Sequence, residues 1–488
     1  MRGYRSKALR GLAVGFLVAV TLLGVAPAQT WTPLTHQPSF QASTALLLTD
    51  GTILVQQYFG KQVWKLTPDA NGSYVNGTWT QLANLPSGYA PLYYSSAVLP
   101  DGRVIFEGGE YNNGVQNWTT LGAIYDPKTN VWTSVTHPSG WSTIGDAQNV
   151  VLPNGRFMLA NCCTTQSVVL NPTNLTWTTI GTGKADEFDE EGWTLLPDGG
   201  ILTVDANLGG TKTSEKFVTS QKKWISDANT VVELVDLGSH ELGPAVLRPN
   251  GTVFNGGATA HTAIYTPGAS QGLPGTWVAG PDFPKIGSQQ MDQADAPSCL
   301  LPNGNVLADV SQGVFGIGTH FYEFDGANFI AEPATPNAPN KSSYEGRMLL
   351  LPTGQVLYTD GSSDVEIYTP IGSPDPSWLP TVSLSGGTLT HGKTYQISGT
   401  QFNGLSQAVA YGDDATAATN YPLVRITNTA TGHVFYAKTH NHSTMAVATK
   451  KQVVSTRFDV PAAIETGAST LQVVANGLAS NAVNITVN

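Results

Sequence analysis

Asp189, Glu190 and Glu191 follow one another directly before "GWTLLPDGGILTV", whose apolar residues around a turn read as a buried β-hairpin. Three like charges at the start of an apolar strand repel one another unless a cation, a proton or a polyhydroxyl ligand offsets them. Asp146, Glu241 and Asp295 stand before similar hairpins, nine or ten places ahead of the turn glycine as Glu190 does, with His240 and Asp292 close by. Carboxylates gathered in this way support three kinds of chemistry. They can hold a hard cation through oxygen ligands. They can accept hydrogen bonds from the hydroxyls of a sugar, in which case Asp146, Glu191, Glu241, His240 and Asp292 are the substrate-binding candidates. Two of them, Glu190 and Asp295, can serve as the acid and base of glycoside cleavage, which asks for a separation of roughly 5 to 10 Å. Each carboxylate alone would pass for a solvated loop residue; recurrence at one register argues for a shared site. Trp141 and Trp193 lie nearby, either to stack on a sugar face or as core residues.

The elements that must position these residues form an internal repeat. "LLLTDGTILVQ", "AVLPDGRVIFEGG", "VVLPNGRFMLA", "TLLPDGGILTVDA", "AVLRPNGTVFNGG", "CLLPNGNVLADV" and "LLLPTGQVLYTDG" place a turn glycine at 51, 102, 155, 199, 251, 304 and 354. Six of these seven turns are Asp-Gly or Asn-Gly, pairs that tolerate positive φ in a tight hairpin. Third strands such as "GAIYDP" and "TAIYTP" follow, and then fourth strands with an aromatic, such as "NVWTSV" and "GTWVAG". Four strands recurring about every fifty residues are the blades of a propeller. The last repeat lacks a clear fourth strand before Pro380, and "TWTPL" at 30–34 is a fourth strand without a repeat, so Trp31 is expected to complete the seventh blade. After "SPDPSWLP" at 373–380 the glycine turns stop, and short alternating strands run to Asn488, as in an immunoglobulin-type β-sandwich. The expected chain is therefore all-β: a seven-bladed β-propeller over 29–375 and a sandwich over 376–488. A blade's first strand lines the axis, and its seven residues span roughly 23 Å at about 3.3 Å each. The residues ahead of it should then converge at the rim opposite the turns: Gln41 or Ala42, Tyr93, Asp146, Glu190, Glu241, Asp295, and Tyr344 or Glu345.

Residues 1–28 pair Arg2, Arg5, Lys7 and Arg10 with the apolar "GLAVGFLVAVTLLGV" and end in "APA", the pattern of a secretory signal peptide cleaved near Ala28. The apolar run is short for a membrane span and nothing else approaches that length, so the expected product is secreted or periplasmic and has no membrane span. Net charge is −11, and the leader contributes only positive charge, which argues against a nucleic-acid partner. Cys162, Cys163 and Cys299 are too few for a disulfide scaffold; a vicinal Cys162–Cys163 bridge and two free thiols both fit. A monomer is expected.

"YYSSAVLPDGRVIFEGG" in the second repeat and "YEGRMLLLPTGQVLYTDG" in the last, within such a propeller and ahead of a sandwich, resemble the copper radical oxidases, the galactose oxidase and glyoxal oxidase family. The likeness covers nearly the whole chain after residue 28 and implies a kelch-type propeller with copper on its axis. It implies that Tyr93 stands where the family has its cross-linked tyrosine, a catalytic position, and Tyr344 where it has the axial tyrosine ligand. Glu345 stands where the family has a histidine, and His440 or His442 in "YAKTHNHSTMAV" would supply the other. Two apart on a strand, His440 and His442 would face the same side; an exposed hairpin tip explains them equally. The implied metal set is thus Tyr93, Tyr344, Glu345, His440 and His442. The cysteine that the family cross-links has no counterpart in "SFQASTALLLTDG", so the radical is not expected.

Three readings stay open at this point. One is a galactose-oxidase-like propeller whose acidic mouth binds carbohydrate or another small polyhydroxyl ligand, with or without copper or another divalent cation. The second is a copper-dependent oxidase of alcohols, aldehydes or sugars. The third is a carboxylate-based enzyme that cleaves polysaccharide, with a bell-shaped pH profile.

Overall fold

The computed structural model describes residues 30–208, 210, 212–384, 386–412 and 417–488, and the signal-peptide reading of 1–28 lies outside them. The described chain is all-β, with three short 3-10 turns at Ala338–Asn340, Ser343–Glu345 and Pro376–Trp378. Each of the first five glycine-turn repeats folds as its own four-stranded antiparallel sheet. The first consists of Ala42–Leu47, Ile53–Gln57, Val63–Thr67 and Thr78–Gln81, paired in chain order. The sixth repeat pairs Ser298–Leu300, Val306–Gln312, His320–Phe324 and Phe329–Glu332, and a hairpin ending in Gln289–Asp292 extends it. The seventh supplies Arg347–Leu350, Val356–Thr359 and Glu366–Thr369, and its fourth strand is Thr30–Pro33, with Trp31 opposite Tyr368.

First strands of neighbouring sheets pack on one another around an axis. Ala42–Leu47 touches both Ser95–Val98 and Arg347–Leu350, and Ser298–Leu300 touches both Ala245–Leu247 and Arg347–Leu350. Their residues are buried on both faces, apolar toward the turn and polar toward the opposite rim, as Ser43, Thr44, Ser95 and Ser96 show. The outermost strands carry the recurring tryptophans, which roof the neighbouring sheet; Trp31 lies against Phe321, Tyr358 and Tyr368.

All seven turn glycines have positive φ, from 77° at Gly51 to 89° at Gly304. The residue before each, Asp or Asn in six turns and Thr353 in the seventh, does not, so these turns are not the two-residue type with both central residues left-handed. Each glycine N–H instead bonds the carbonyl three residues back, as from Gly102 to Leu99 at 2.8 Å. The preceding Asp or Asn side chain accepts from the amide two residues on, as Asp101 Oδ1 does from Arg103 at 3.0 Å. This is a type I turn closed by a left-handed glycine, with proline at its second position in most repeats.

Beyond Pro376–Trp378 the strands join one nine-stranded sheet around a separate apolar core of Ile397, Phe402, Val424, Ile426, Phe458 and Leu471, among others. One segment leaves that sheet and enters the propeller-like ring. Val409–Ala410 pairs with Ser298–Cys299, Gln407 Oε1 accepts from the amide of Leu195 at 2.9 Å, and the Tyr421 hydroxyl donates to the carbonyl of Leu47. Residues 406–412 and 417–421 thus lie along the axis between first strands of opposite sheets, and Ala408, Val409, Ala410 and Tyr421 belong to the ring's own core. Small side chains in "SQAVAYG" let this segment fit the narrow channel.

Candidate functional site

The rim opposite the glycine turns closes around a cavity of about 500 Å³. Tyr93, Asp146, Glu190, Glu241, Asp295 and Tyr344 all line it, each delivered by the loop that enters the first strand of a successive sheet. Tyr93, Glu190 and Asp295 hold left-handed backbones, with φ of 49°, 60° and 53°, which turn the chain sharply just before the strand and aim these side chains at the axis. Glu190, Glu241 and Asp295 converge most tightly: one carboxylate oxygen from each lies within 4.8 Å of the other two.

A second set of residues in the wall comes from loops just past the second strands: Tyr58 and Phe59 in the first sheet, Glu110 and Tyr111 in the second, Phe315 in the sixth. Sequence reading missed these. Phe59 and Phe315 are 41% and 43% exposed, so aromatic faces border the carboxylates at the mouth. Tyr93 and Tyr344 lie 6.4 Å apart between ring centroids, and Phe315 stands edge-on to Tyr344 at 4.9 Å. From below, the axial segment presents Tyr411, whose hydroxyl donates to the carbonyl of Tyr344 at 2.5 Å. The Arg347 guanidinium lies 3.8 Å from the Tyr411 ring and 5.4 Å from the Tyr93 ring, and donates to the carbonyls of Tyr344 and Gly346.

Carboxylates dominate the electrostatics of the cavity wall. Burial pushes the Glu190 carboxyl well above the usual range, and the groups that add to it are carboxylates: Glu241, Asp295, Asp146 and Asp189. Burial likewise pushes Glu241 up to about 7, with contact to the Glu190 and Asp295 carboxyls acting the other way. The Tyr93 phenol is raised by burial and by Tyr58, against a lowering by Arg347.

Several sequence candidates are placed elsewhere. Glu191 is buried in the fourth sheet, where Lys184 Nζ sits 2.8 Å from it, 3.2 Å from Asp205 and 2.5 Å from Glu215. His240 turns to Asn207, its Nδ1 2.5 Å from Oδ1. Asp292 is buried and accepts from the amide of Ala294 at 3.2 Å. Trp141 and Trp193 are core residues. Glu345 closes a helical capping box, taking Lys341 Nζ at 3.0 Å and the amide of Ser342 at 3.0 Å. His440 and His442 lie at the glycine-turn rim, where the amide of Thr439 bonds the carbonyl of Thr49 and that of Met445 bonds Pro153. His440 faces Asp459 at 3.1 Å, and His442 stacks on Tyr421 and bonds Thr456 at 2.9 Å. Burial, with His440 beside it, pushes the His442 imidazole down to about 3. Cys162 and Cys163 are joined in a disulfide.

The set of Tyr93, Tyr344, Glu345, His440 and His442 is therefore not assembled. Among the described residues the cavity wall holds no imidazole and no thiol, and its donors are all oxygens. That set does not fit a copper centre of the radical-oxidase kind, which the resemblance implies would draw on two imidazoles and a thioether.

No protein-family model matches the chain. The Kelch-like protein terF of Aspergillus terreus is 29% identical over 129 residues, which is 25% of this chain and 26% of that protein, so the match spans about a quarter of this curated relative. Among solved structures, a fungal alcohol oxidase of the AA5 family in complex with copper superposes at a TM-score of 0.55 with 14% identity, over 95% of this chain and all of that one. Virginiamycin B lyase from Staphylococcus aureus overlays 70% of this chain at a TM-score of 0.48 and 10% identity. The likeness to the oxidase is one of architecture, and the chain carries a kelch-type, galactose-oxidase-like fold.

Proposed function

We propose that the axial cavity binds carbohydrate, or another small polyhydroxyl ligand, without Cys–Tyr radical chemistry. The observation that carries this reading is the pairing of exposed aromatic faces, Phe59 and Phe315, with three converging carboxylates in one cavity. Aromatic faces take the C–H face of a sugar and carboxylates accept from its hydroxyls, the division of labour that a polyhydroxyl ring requires. Glycoside cleavage is less well supported. Burial raises both Glu190 and Glu241 together, whereas an acid–base pair needs environments that push its two pKa values apart. Copper-dependent oxidation lacks its nitrogen ligands. On this reading the sheets are the seven blades of a propeller over 29–375, the strands over 376–488 are an immunoglobulin-like sandwich, and the protein works as a monomer outside the cytoplasm after losing its leader.

The test is a printed array of mono- and oligosaccharides, followed by calorimetry on the hits. Tyr111→Ala and Phe315→Ala should each weaken binding by about tenfold, the worth of one aromatic contact. A folded protein that binds no sugar on the array, or variants that bind as the parent does, would overturn the proposal.

A further inference from the structure

Of the chain's eleven tryptophans, only Trp118 is exposed, at 37%. The others brace sheets, as Trp31 and Trp224 do against their neighbours' rings. An indole one-third open to water forgoes much of the gain from burying so large an apolar group, so its place asks for a reason. Trp118 lies on the loop between Val104–Glu107 and Gly122–Asp126 in the second sheet, the same loop that sends Glu110 and Tyr111 into the cavity wall. Val115 and Leu121, also on this loop, are exposed as well.

The backbone is shaped to hold the indole at the cavity's edge. Trp118 has a left-handed φ of 41°, a costly conformation for a bulky side chain. Its amide bonds the carbonyl of Glu110 at 3.1 Å, and Glu110 lines the cavity. Its ring edge lies over Gly145, where an added methyl would stand 2.9 Å from Trp118 Cδ1 and 2.5 Å from Cys162 Sγ. Gly145, left-handed at 70°, directly precedes Asp146, another wall residue. The indole is thus seated between two residues of the wall, with one sulfur of the Cys162–Cys163 disulfide packed on the same glycine.

Inside the cavity a row of five rings leads the same way. Phe315 meets Tyr344 at 4.9 Å between centroids, Tyr344 meets Tyr93 at 6.4 Å, Tyr93 meets Tyr111 at 6.1 Å, and Tyr111 meets Phe59 at 5.8 Å. Tyr111 follows Glu110, the residue to which Trp118 is tied. A single sugar covers one or two of these faces, whereas a chain of sugar units can use the row and the indole beyond it.

We infer that Trp118 is the platform of a second sugar subsite, so that the ligand is an oligosaccharide with one unit in the cavity and the next stacked on the indole. This rests on the carbohydrate reading above and adds chain length to it.

The probes are the mono-, di- and trisaccharides of glucose, galactose, mannose, xylose and N-acetylglucosamine, titrated calorimetrically into the full protein. In a series that binds, affinity should rise by about tenfold from the monosaccharide to the longer members, the worth of one further aromatic contact. Trp118→Ala should erase that ratio, and Trp118→Phe, which keeps a ring, should retain most of it, with circular dichroism reporting the fold of each. Val453→Ala, which trims an exposed apolar side chain elsewhere, should leave the ratio as in the parent. Acrylamide quenching gives a second reading: the trisaccharide should shield the most accessible indole, and the monosaccharide should leave it open. Monosaccharide binding with no gain from chain length, or a gain untouched in Trp118→Ala, overturns the inference and leaves the carbohydrate reading intact. A gain untouched in a variant that elutes as a smaller species than the parent assigns the indole to a contact between copies instead. No binding in any series overturns both.

Discussion

At the scale of single residues, the run Asp189-Glu190-Glu191 divides its labour. Glu190 points to the axis, while Glu191 is turned the other way into a buried cluster in which one ammonium, Lys184, serves three carboxylates. Lys184→Met should therefore destabilise by about 3 to 5 kcal/mol, because it strands buried anions, a loss that chemical denaturation would read. Asp292 gives a pH prediction. Burial raises its carboxyl from 3.8 to about 7. A raised acid binds its proton more tightly folded than unfolded, so the stabilisation is present below pH 4 or so and is lost as pH rises through about 7. Asp292→Asn, neutral throughout, should gain on the parent across that window by on the order of 4 kcal/mol; a constant difference between the two melting profiles would refute it. The axial carboxylates were legible in the sequence because the repeat period fixes their register, and Tyr93, Asp146, Glu190, Glu241, Asp295 and Tyr344 do share one cavity. Glu345, His440 and His442 were read through the family resemblance instead, and nothing in a repeat register fixes where a loop or a second sheet will put them. The aromatic wall escaped notice because Tyr58, Phe59, Tyr111 and Phe315 sit on loops of unequal length.

At the scale of elements, one turn is used seven times in two settings. Gly251 has φ of 87° and an added methyl would meet nothing within 4 Å, whereas Gly51, at 77°, would press a methyl to 2.4 Å from Tyr436 Cγ. Gly251→Ala should cost about 1 kcal/mol of backbone strain alone, and Gly51→Ala clearly more, since it must also move a half-buried tyrosine of the other sheet. Equal losses in urea titrations would show that the contact carries no weight. The hairpins themselves were plain from the Asp-Gly and Asn-Gly pairs, but their type was not: the side chain of the Asp or Asn, bonding two residues on, holds the turn, and only the glycine is left-handed. The axial segment around 406–412 was not legible, because small polar and alanine residues carry no periodic signal, and its place is set by partners far away in sequence. Asn476 anchors it, accepting from the amides of Leu405 at 2.9 Å and Ser406 at 3.3 Å and donating to Thr419. Asn476→Ala would leave two buried amides without an acceptor and should lower stability by about 2 to 3 kcal/mol, with a loss of sugar binding as Tyr411 slackens beneath the cavity.

At the scale of the whole molecule, the ring and the C-terminal sheet share a core through Ala408, Val409, Tyr421, Met445 and Val447. A core so shared should melt once, and a calorimetric trace with two separated transitions would contradict it. Trp31 is the other long-range tie: its indole lies against three aromatic rings, and its N–H donates to the carbonyl of Pro333 at 2.7 Å. Trp31→Ala should cost about 3 kcal/mol. That tie also constrains when the chain can fold during its own synthesis. The indole of Trp31 bonds a residue 302 positions later. Thr30–Pro33 must wait, its edge unpaired, until nearly the entire ring has left the ribosome. The axial segment comes later still, so the piece that plugs the centre emerges only after the ring it fills. Contacts this distant in sequence make for slow folding and a long-lived open edge. A permuted chain beginning at Ser342, which would join Thr30–Pro33 to its partner early, should refold faster than the parent while reaching the same cavity.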